Sequence, residues 1–226
     1  MSNAESLFLV SGGSGGIGAA VCRRLAECGY RPVVAYHRNA DAALDVAASC
    51  SGEVLPLDLA SESSILAAVD VLASRGRPLA GVVLAGSPPP VLAPFGRITP
   101  DELQQQLAVH VTGPQLLLAH LVRRCFRKTT QGVVIGVLSK AMGGEGMHAS
   151  SGMGSYVIGK YGLAGVLAAL EADYPWLQVR AVRPGYTETP MLQVFDQRFL
   201  AMQRDREAFQ TADQVAAAIV QEVVTT

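Results

Sequence analysis

The chain has 226 residues, of which 50% are hydrophobic and 16% charged, and its formal net charge is −1. That composition excludes a disordered chain, and near-neutrality leaves no field to draw in nucleic acid or an anionic membrane. No apolar run approaches the ~20 residues that a membrane helix needs. The length suits one domain, 1–226, with a sizeable core. Cys22, Cys28, Cys50 and Cys125 have neither metal-ligand nor redox spacing. Buried free thiols in a reducing cytoplasm are therefore expected, with no metal site. The apolar run at Leu7 is short and belongs to a strand, so no secretory signal is expected.

Met1-Ser2-Asn3-Ala4 reads as an expression scar outside the fold. A first strand, 7–10, leads into Ser11-Gly12-Gly13-Ser14-Gly15-Gly16-Ile17-Gly18 and a helix near 16–29. A strand, a glycine-rich turn and a helix in that order form a phosphate-binding device. The glycines let the backbone approach a pyrophosphate, and the helix N-terminus offers free N–H groups and partial positive charge. Further strands are expected at 33–36, 54–57, 81–85, 133–138 and 179–182, several of them the continuous β-branched runs of buried parallel strands. Helices are expected near 40–49, 62–75, 100–127 and 155–173, with starts at Ser61 and at Thr99-Pro100, where Thr99 caps and Pro100 suits the first turn. Ser87-Pro88-Pro89-Pro90 reads as a stiff loop, and 142–154 as a mobile glycine-rich loop lining a substrate mouth. Two helices, 195–209 and 212–224, close the chain. Alternating β and α gives a Rossmann-like, doubly wound parallel sheet of about six strands.

Tyr156 and Lys160, four apart on one helix, share a face. A cation beside a phenol favours the phenolate and is expected to lower its pKa from about 10, as a general acid–base near neutrality requires.

Together these residues resemble the short-chain dehydrogenase/reductase family, from Leu7 to about Met191. The loop matches Thr-Gly-x-x-x-Gly-x-Gly with Ser11 for Thr, and Tyr156 with Lys160 matches Tyr-x-x-x-Lys. Asp58, before Leu59, matches the acidic residue that contacts adenine, and Arg183-Pro184-Gly185-Tyr186-Thr187-Glu188-Thr189 matches the Pro-Gly segment beside the nicotinamide. The resemblance implies hydride transfer between a nicotinamide and a carbonyl carbon. Tyr156 would move the proton, Lys160 would hold the ribose, and Pro184, Gly185, Thr187 and Thr189 would flank the carboxamide and phosphates. It also implies a last strand that this sequence lacks. Six strands are then expected, and a homodimer fits better than the family's usual tetramer.

The second strand ends in His37-Arg38-Asn39. An acid there favours NAD(H), and an arginine accommodates a 2′-phosphate. Arg38 binds phosphate through its planar fork and His37 and Asn39 can donate, so NADP(H) is favoured over NAD(H), against the alternative of a solvated loop charge. Ala85-Gly86 keeps the close backbone approach of the family's Asn-Asn-Ala-Gly without its asparagines. The resemblance gives Ser139 the task of orienting the substrate oxygen, with Ser150 or Ser151 as alternatives because the Ser139–Tyr156 spacing is longer than usual. His110 stands where the family has a catalytic asparagine that holds a relay water, either as a proton relay or as filler.

Met142, Met147, Met153, Met191, Leu192 and Phe195 suggest an apolar, adaptable pocket for a small carbonyl or alcohol substrate, with some of them packing in the core instead. The basic run Arg123, Arg124, Arg127 and Lys128 suits an acyl carrier protein bearing a 3-oxoacyl thioester, or equally a solvated helix end. The leading expectation is an NADP(H)-dependent carbonyl reductase. Its rival is a cofactor-binding regulatory or scaffold protein with little turnover.

Overall fold

The fold was analysed in a computed structural model that describes residues 6–144 and 146–224. The expectations for Met1–Ala4, and for Glu145 in the glycine-rich loop, lie outside the described residues. Six parallel strands form one sheet: β1 (Leu7–Ser11), β2 (Arg31–Tyr36), β3 (Glu53–Pro56), β4 (Leu79–Leu84), β5 (Val133–Val137) and β6 (Gln178–Val182). Their order is β3-β2-β1-β4-β5-β6. The order reverses at β1, which pairs with β2 on one side and β4 on the other. A crevice therefore opens beyond the carboxyl ends of β1 and β4, where doubly wound sheets bind ligands.

Helices α1 (Gly16–Glu27), α2 (Ala40–Ser49) and α8 (Ala212–Val224) belong to one face of the sheet, and α3 (Glu62–Ser74), α5 (Gly113–Arg124) and α6 (Gly154–Asp173) to the other. β1 is buried throughout because it feeds both faces: Leu7 and Leu9 join one core, Phe8 and Val10 the other. The expected caps form, with Ser61 Oγ accepting from Ser64 N–H and Thr99 Oγ1 from Glu102 N–H.

The structure corrects the sequence reading in four places. The single helix expected over 100–127 is α4 (Pro100–Leu107), a π-helical segment Ala108–Thr112, and α5. Pro114 explains the break: it has no N–H to give the His110 carbonyl, and its ring crowds that carbonyl in an α-helix. The chain widens, and Gly113 N–H bonds to Ala108 O instead. Glycine is needed at 113, where a Cβ would lie 2.0 Å from Leu59 O. Second, the helix expected over 195–209 is shorter, α7 (Gln197–Arg206), and is followed by β8 (Gln210–Thr211), which pairs in parallel with β7 (Thr187–Glu188). Third, Cys22 and Cys50 are buried, but Cys28 caps the end of α1 in solvent and Cys125 is half-buried. Fourth, Met147 is 63% exposed and lies neither along the cavity nor in the core, whereas Met142 takes the core place expected for some of these residues.

Candidate active site

The turn from β1 into α1 is shaped by glycines that no other residue replaces. Gly12 and Gly16 have φ of 67° and 50°. A Cβ on Gly12 would meet Gly86 Cα at 2.8 Å, and one on Gly18 would meet Gly12 O at 2.2 Å. The first contact lets β1 and β4 approach at their ends; the second seats α1 on the loop. Gly86 N–H donates to the buried Ser11 Oγ at 3.1 Å, and Gly13 N–H to Ala35 O at 2.9 Å, so the loop is pinned to both neighbouring strands. Ser14 and Ile17 stay partly exposed at the start of α1, and Ile17 lines the cavity described below.

At the far end of the crevice, His37, Arg38 and Asn39 are all exposed after β2. They differ in their bonding. His37 Nε2 lies 3.3 Å from Asp58 Oδ2, while Asp58 Oδ1 accepts from Ala60 N–H. Asn39 Oδ1 caps α2 by accepting from Ala42 N–H at 3.1 Å. Arg38 has no hydrogen-bond or ion-pair partner among the described residues. Leu59 packs in the core beneath Gly86.

The other candidates surround a cavity of about 200 Å³ at the ends of β4, β5 and β6. Ser139, Tyr156, Lys160, Ala85, Pro184, Gly185, Thr187 and Thr189 all line it. Ser139 caps a short 3₁₀ turn, its Oγ accepting from Ala141 N–H at 3.1 Å, so its own hydroxyl proton is left for Tyr156. Ser150 also lines the cavity; Ser151 is exposed and does not. Thr189 packs its methyl group against Gly16. The segment after β6 thus folds back onto the glycine loop and joins the two ends of the crevice.

Tyr156 and Lys160 share a face of α6, as their spacing requires, with Lys160 Nζ 5.5 Å from the Tyr156 ring centre. The expected electrostatics are reversed. Lys160 is fully buried and donates to Val137 O at 2.8 Å. Burial without an anionic partner lowers its pKa to about 7. Tyr156 is raised, not lowered: burial dominates, and the Ser139 hydrogen bond only partly offsets it. Without cofactor, the phenol of this site is a protonated acid at neutral pH.

His110 lies on the π segment, fully buried, its ring edge-on to Tyr156 at 5.8 Å between centres. Its Nε2 is 3.0 Å from Ser87 Oγ. Ser87 donates its own proton to Pro88 O at 2.9 Å. Among the described residues Nδ1 has no partner in regular hydrogen-bond geometry. Burial first, then the Lys160 charge, push the imidazole down to about 2, while the Gln106 carbonyl pulls it back slightly. His110 is therefore neutral at any working pH. Sequence reasoning missed Ser87, which lines the cavity and connects it to His110. Its place directly after Ala85-Gly86 was the available signal.

The family model described as short chain dehydrogenase matches residues 6–222. The chain belongs to the short-chain dehydrogenase family. It is 30% identical over 192 residues to a 2,5-dichloro-2,5-cyclohexadiene-1,4-diol dehydrogenase of Sphingobium indicum, covering 82% of this chain and 74% of that one. It is 27% identical to an acetoacetyl-CoA reductase of Shinella zoogloeoides, covering 85% and 78%. Among solved structures, a short chain dehydrogenase from Burkholderia cenocepacia in complex with NADP superposes with a TM-score of 0.86 at 26% identity, covering 99% and 92%. This short-chain dehydrogenase is thus an oxidoreductase with a nicotinamide-nucleotide site in a Rossmann-like fold.

Proposed function

We propose that the chain is an NADP(H)-dependent carbonyl reductase that converts a ketone to a secondary alcohol. The observation that carries this reading is the convergence of Ser139, Tyr156 and Lys160 on one cavity that also meets the glycine loop and the Pro184–Thr189 segment. The cofactor fits the residues present: the glycine loop leads into the N-terminus of α1, where Gly15 has open space beside it and no side chain caps the first N–H groups, which leaves them for a pyrophosphate. Arg38, exposed and unpaired, suits a 2′-phosphate, while Asp58 is already engaged by His37. When bound, the nicotinamide supplies the hydride.

The protein supplies the proton and the polarisation. Tyr156 gives its phenolic proton to the carbonyl oxygen as negative charge develops there, and the Ser139 hydroxyl donates to the same oxygen. A raised tyrosine pKa keeps that proton in place at neutral pH, the form that proton donation to a carbonyl needs. Lys160, as ammonium, would hold the ribose and stabilise the phenolate left behind. Neutral His110, bonded to Ser87, fixes the wall behind Tyr156. Exposed Ile158 and Tyr161 on α6 suit a homodimer contact, and four free cysteines suit the reducing cytoplasm. An acyl carrier protein is less well supported, since Arg124 already bonds Asp70 and Arg123 bonds Ala119 O.

The test is a panel of ketones and 3-oxoacyl thioesters with NADPH, followed at the nicotinamide absorbance. Turnover of a ketone with NADPH preferred over NADH is expected. NADPH binding without turnover of any carbonyl would replace this reading with that of a cofactor-binding regulatory protein.

A further inference from the structure

Lys140 follows Ser139 directly and stands at the mouth of the same cavity. Its backbone N–H donates to Pro184 O at 2.8 Å, and its stem lies over Gly185, where a Cβ would be 3.3 Å from Lys140 Cδ. The ammonium is thereby carried on a firm base beside the reacting group. Its partner is Glu207, just past α7, with Nζ 2.6 Å from Oε1. Of the charged residues lining the cavity, Lys160 is buried against Val137 O, so among the described residues Lys140 and Glu207 supply the mouth's charge. The wall between is apolar: Met153, Met191, Leu192 and Phe195.

The pair is not needed to hold α7 in place. That helix is tied down by the forked Arg204–Glu188 bridge. Aromatic packing adds to this: Tyr186 stacks on Phe209 at 5.0 Å, and Phe195 on Phe199 at 5.6 Å. The two partners are also unequal. The Lys140 side chain is 48% exposed, Glu207 69%, and a pair this open stabilises little. Glu207 is therefore the partner that yields.

We propose that Lys140 is a specificity-determining residue that selects carbonyl substrates bearing a carboxylate. The incoming carboxylate replaces Glu207 on the Lys140 ammonium while the ketone oxygen meets Ser139 and Tyr156. The exchange keeps charge balanced, since one carboxylate leaves the lysine as another arrives. The apolar wall takes the carbon skeleton between the two polar ends. This inference rests on the reductase reading and narrows its substrate class to oxo acids.

The test uses matched pairs with NADPH: levulinate against methyl levulinate, and 3-oxocyclohexanecarboxylate against its methyl ester. The native protein should show a higher kcat/KM for the acid than for the ester in at least one pair. The preference should shrink as salt rises, because the site is half-exposed. Lys140→Met should lower the acid-to-ester ratio roughly tenfold, the scale of one charge-assisted hydrogen bond, mostly through KM for the acid. Lys140→Arg should keep the preference, which excludes a folding defect as the cause. Glu207→Gln should raise the ratio by removing the competing anion. Reduction of the esters with no preference for the acids, or a ratio unchanged in Lys140→Met, would overturn the selection role and leave the reductase reading standing. Failure to reduce any member of either pair, by a protein that reduces other ketones of the panel, would overturn the oxo-acid inference alone; no turnover across the whole panel, with NADPH bound, would overturn both.

Discussion

The two ends of the crevice are built from different materials. The glycine loop is made of backbone: its shape comes from residues with no side chain, and Gly12 and Gly18 leave no room for one. The cluster around Tyr156 is made of side chains that the fold has removed from water, with Lys160 and His110 fully buried. A backbone site fails by collision when altered. A side-chain site can lose its chemistry while keeping its shape, and its properties depend on solvation that no motif encodes.

The largest expected effect separates the two materials. Tyr156→Phe should lower turnover by ~10²–10⁴-fold, the usual range for acid–base catalysis, with NADPH affinity within a few-fold by titration. Substantial activity in that variant would remove Tyr156 from the mechanism. Gly18→Ala is the converse. Its methyl would sit 2.2 Å from Gly12 O, so cofactor binding and melting temperature should fall together, with a stability loss of about 1–3 kcal/mol as for other overpacked sites.

Lys160 gives the comparison a pH dependence. Its folded pKa is depressed to about 7, whereas the unfolded chain keeps it near 10.4. Between those values the unfolded state binds more protons, so the cofactor-free protein should gain stability as pH rises from about 7 to 10. Below about 7 both states are protonated and the cost of burying the ammonium is felt in full. Lys160→Met should flatten that rise in melting temperature. NADPH binding that uses the ammonium should take up a proton above pH 7, which calorimetry in buffers of different ionisation enthalpy detects.

Smaller effects are expected at the edges. Arg38→Ala should weaken NADPH roughly tenfold, the scale of one charge-assisted contact, and leave NADH nearly unchanged; equal losses would mean that Arg38 acts on the fold. His110→Asn should change the pH–rate profile least of all. The imidazole ionises only near 2, so no acid limb between pH 5 and 8 belongs to it. An acid limb that disappears in His110→Asn would show that the imidazole titrates when cofactor is bound.

The sequence was most readable where structure follows from short-range rules. The glycine loop, the six strands and the shared face of Tyr156 and Lys160 follow from backbone sterics and periodicity, as do the caps at Ser61 and Thr99. What escaped depends on distant partners. The direction of the Tyr156 shift turns on how deeply α6 is buried, and neighbour spacing suggested the opposite sign. The Lys140–Glu207 pair joins residues far apart in the chain. The short β7–β8 pairing had no apolar run to announce it. One miss was legible after all: Pro114 lies inside the expected helix and should have interrupted it at once.

That proline also sets the helical phase of everything before it. A residue turns an α-helix by about 100°, and the wide turn at Ala108–Thr112 accommodates one residue more than a regular helix would. Remove that residue, with Pro114→Ala to allow a regular turn, and α4 would rotate about its axis relative to α5 by about that angle. Glu102 would then swing away from its hydrogen bond with Ser155, and Gln106 from Pro89 O. A single extra residue works as a gear tooth between two helices, and it aims one face at the Tyr156 helix and the next at the sheet.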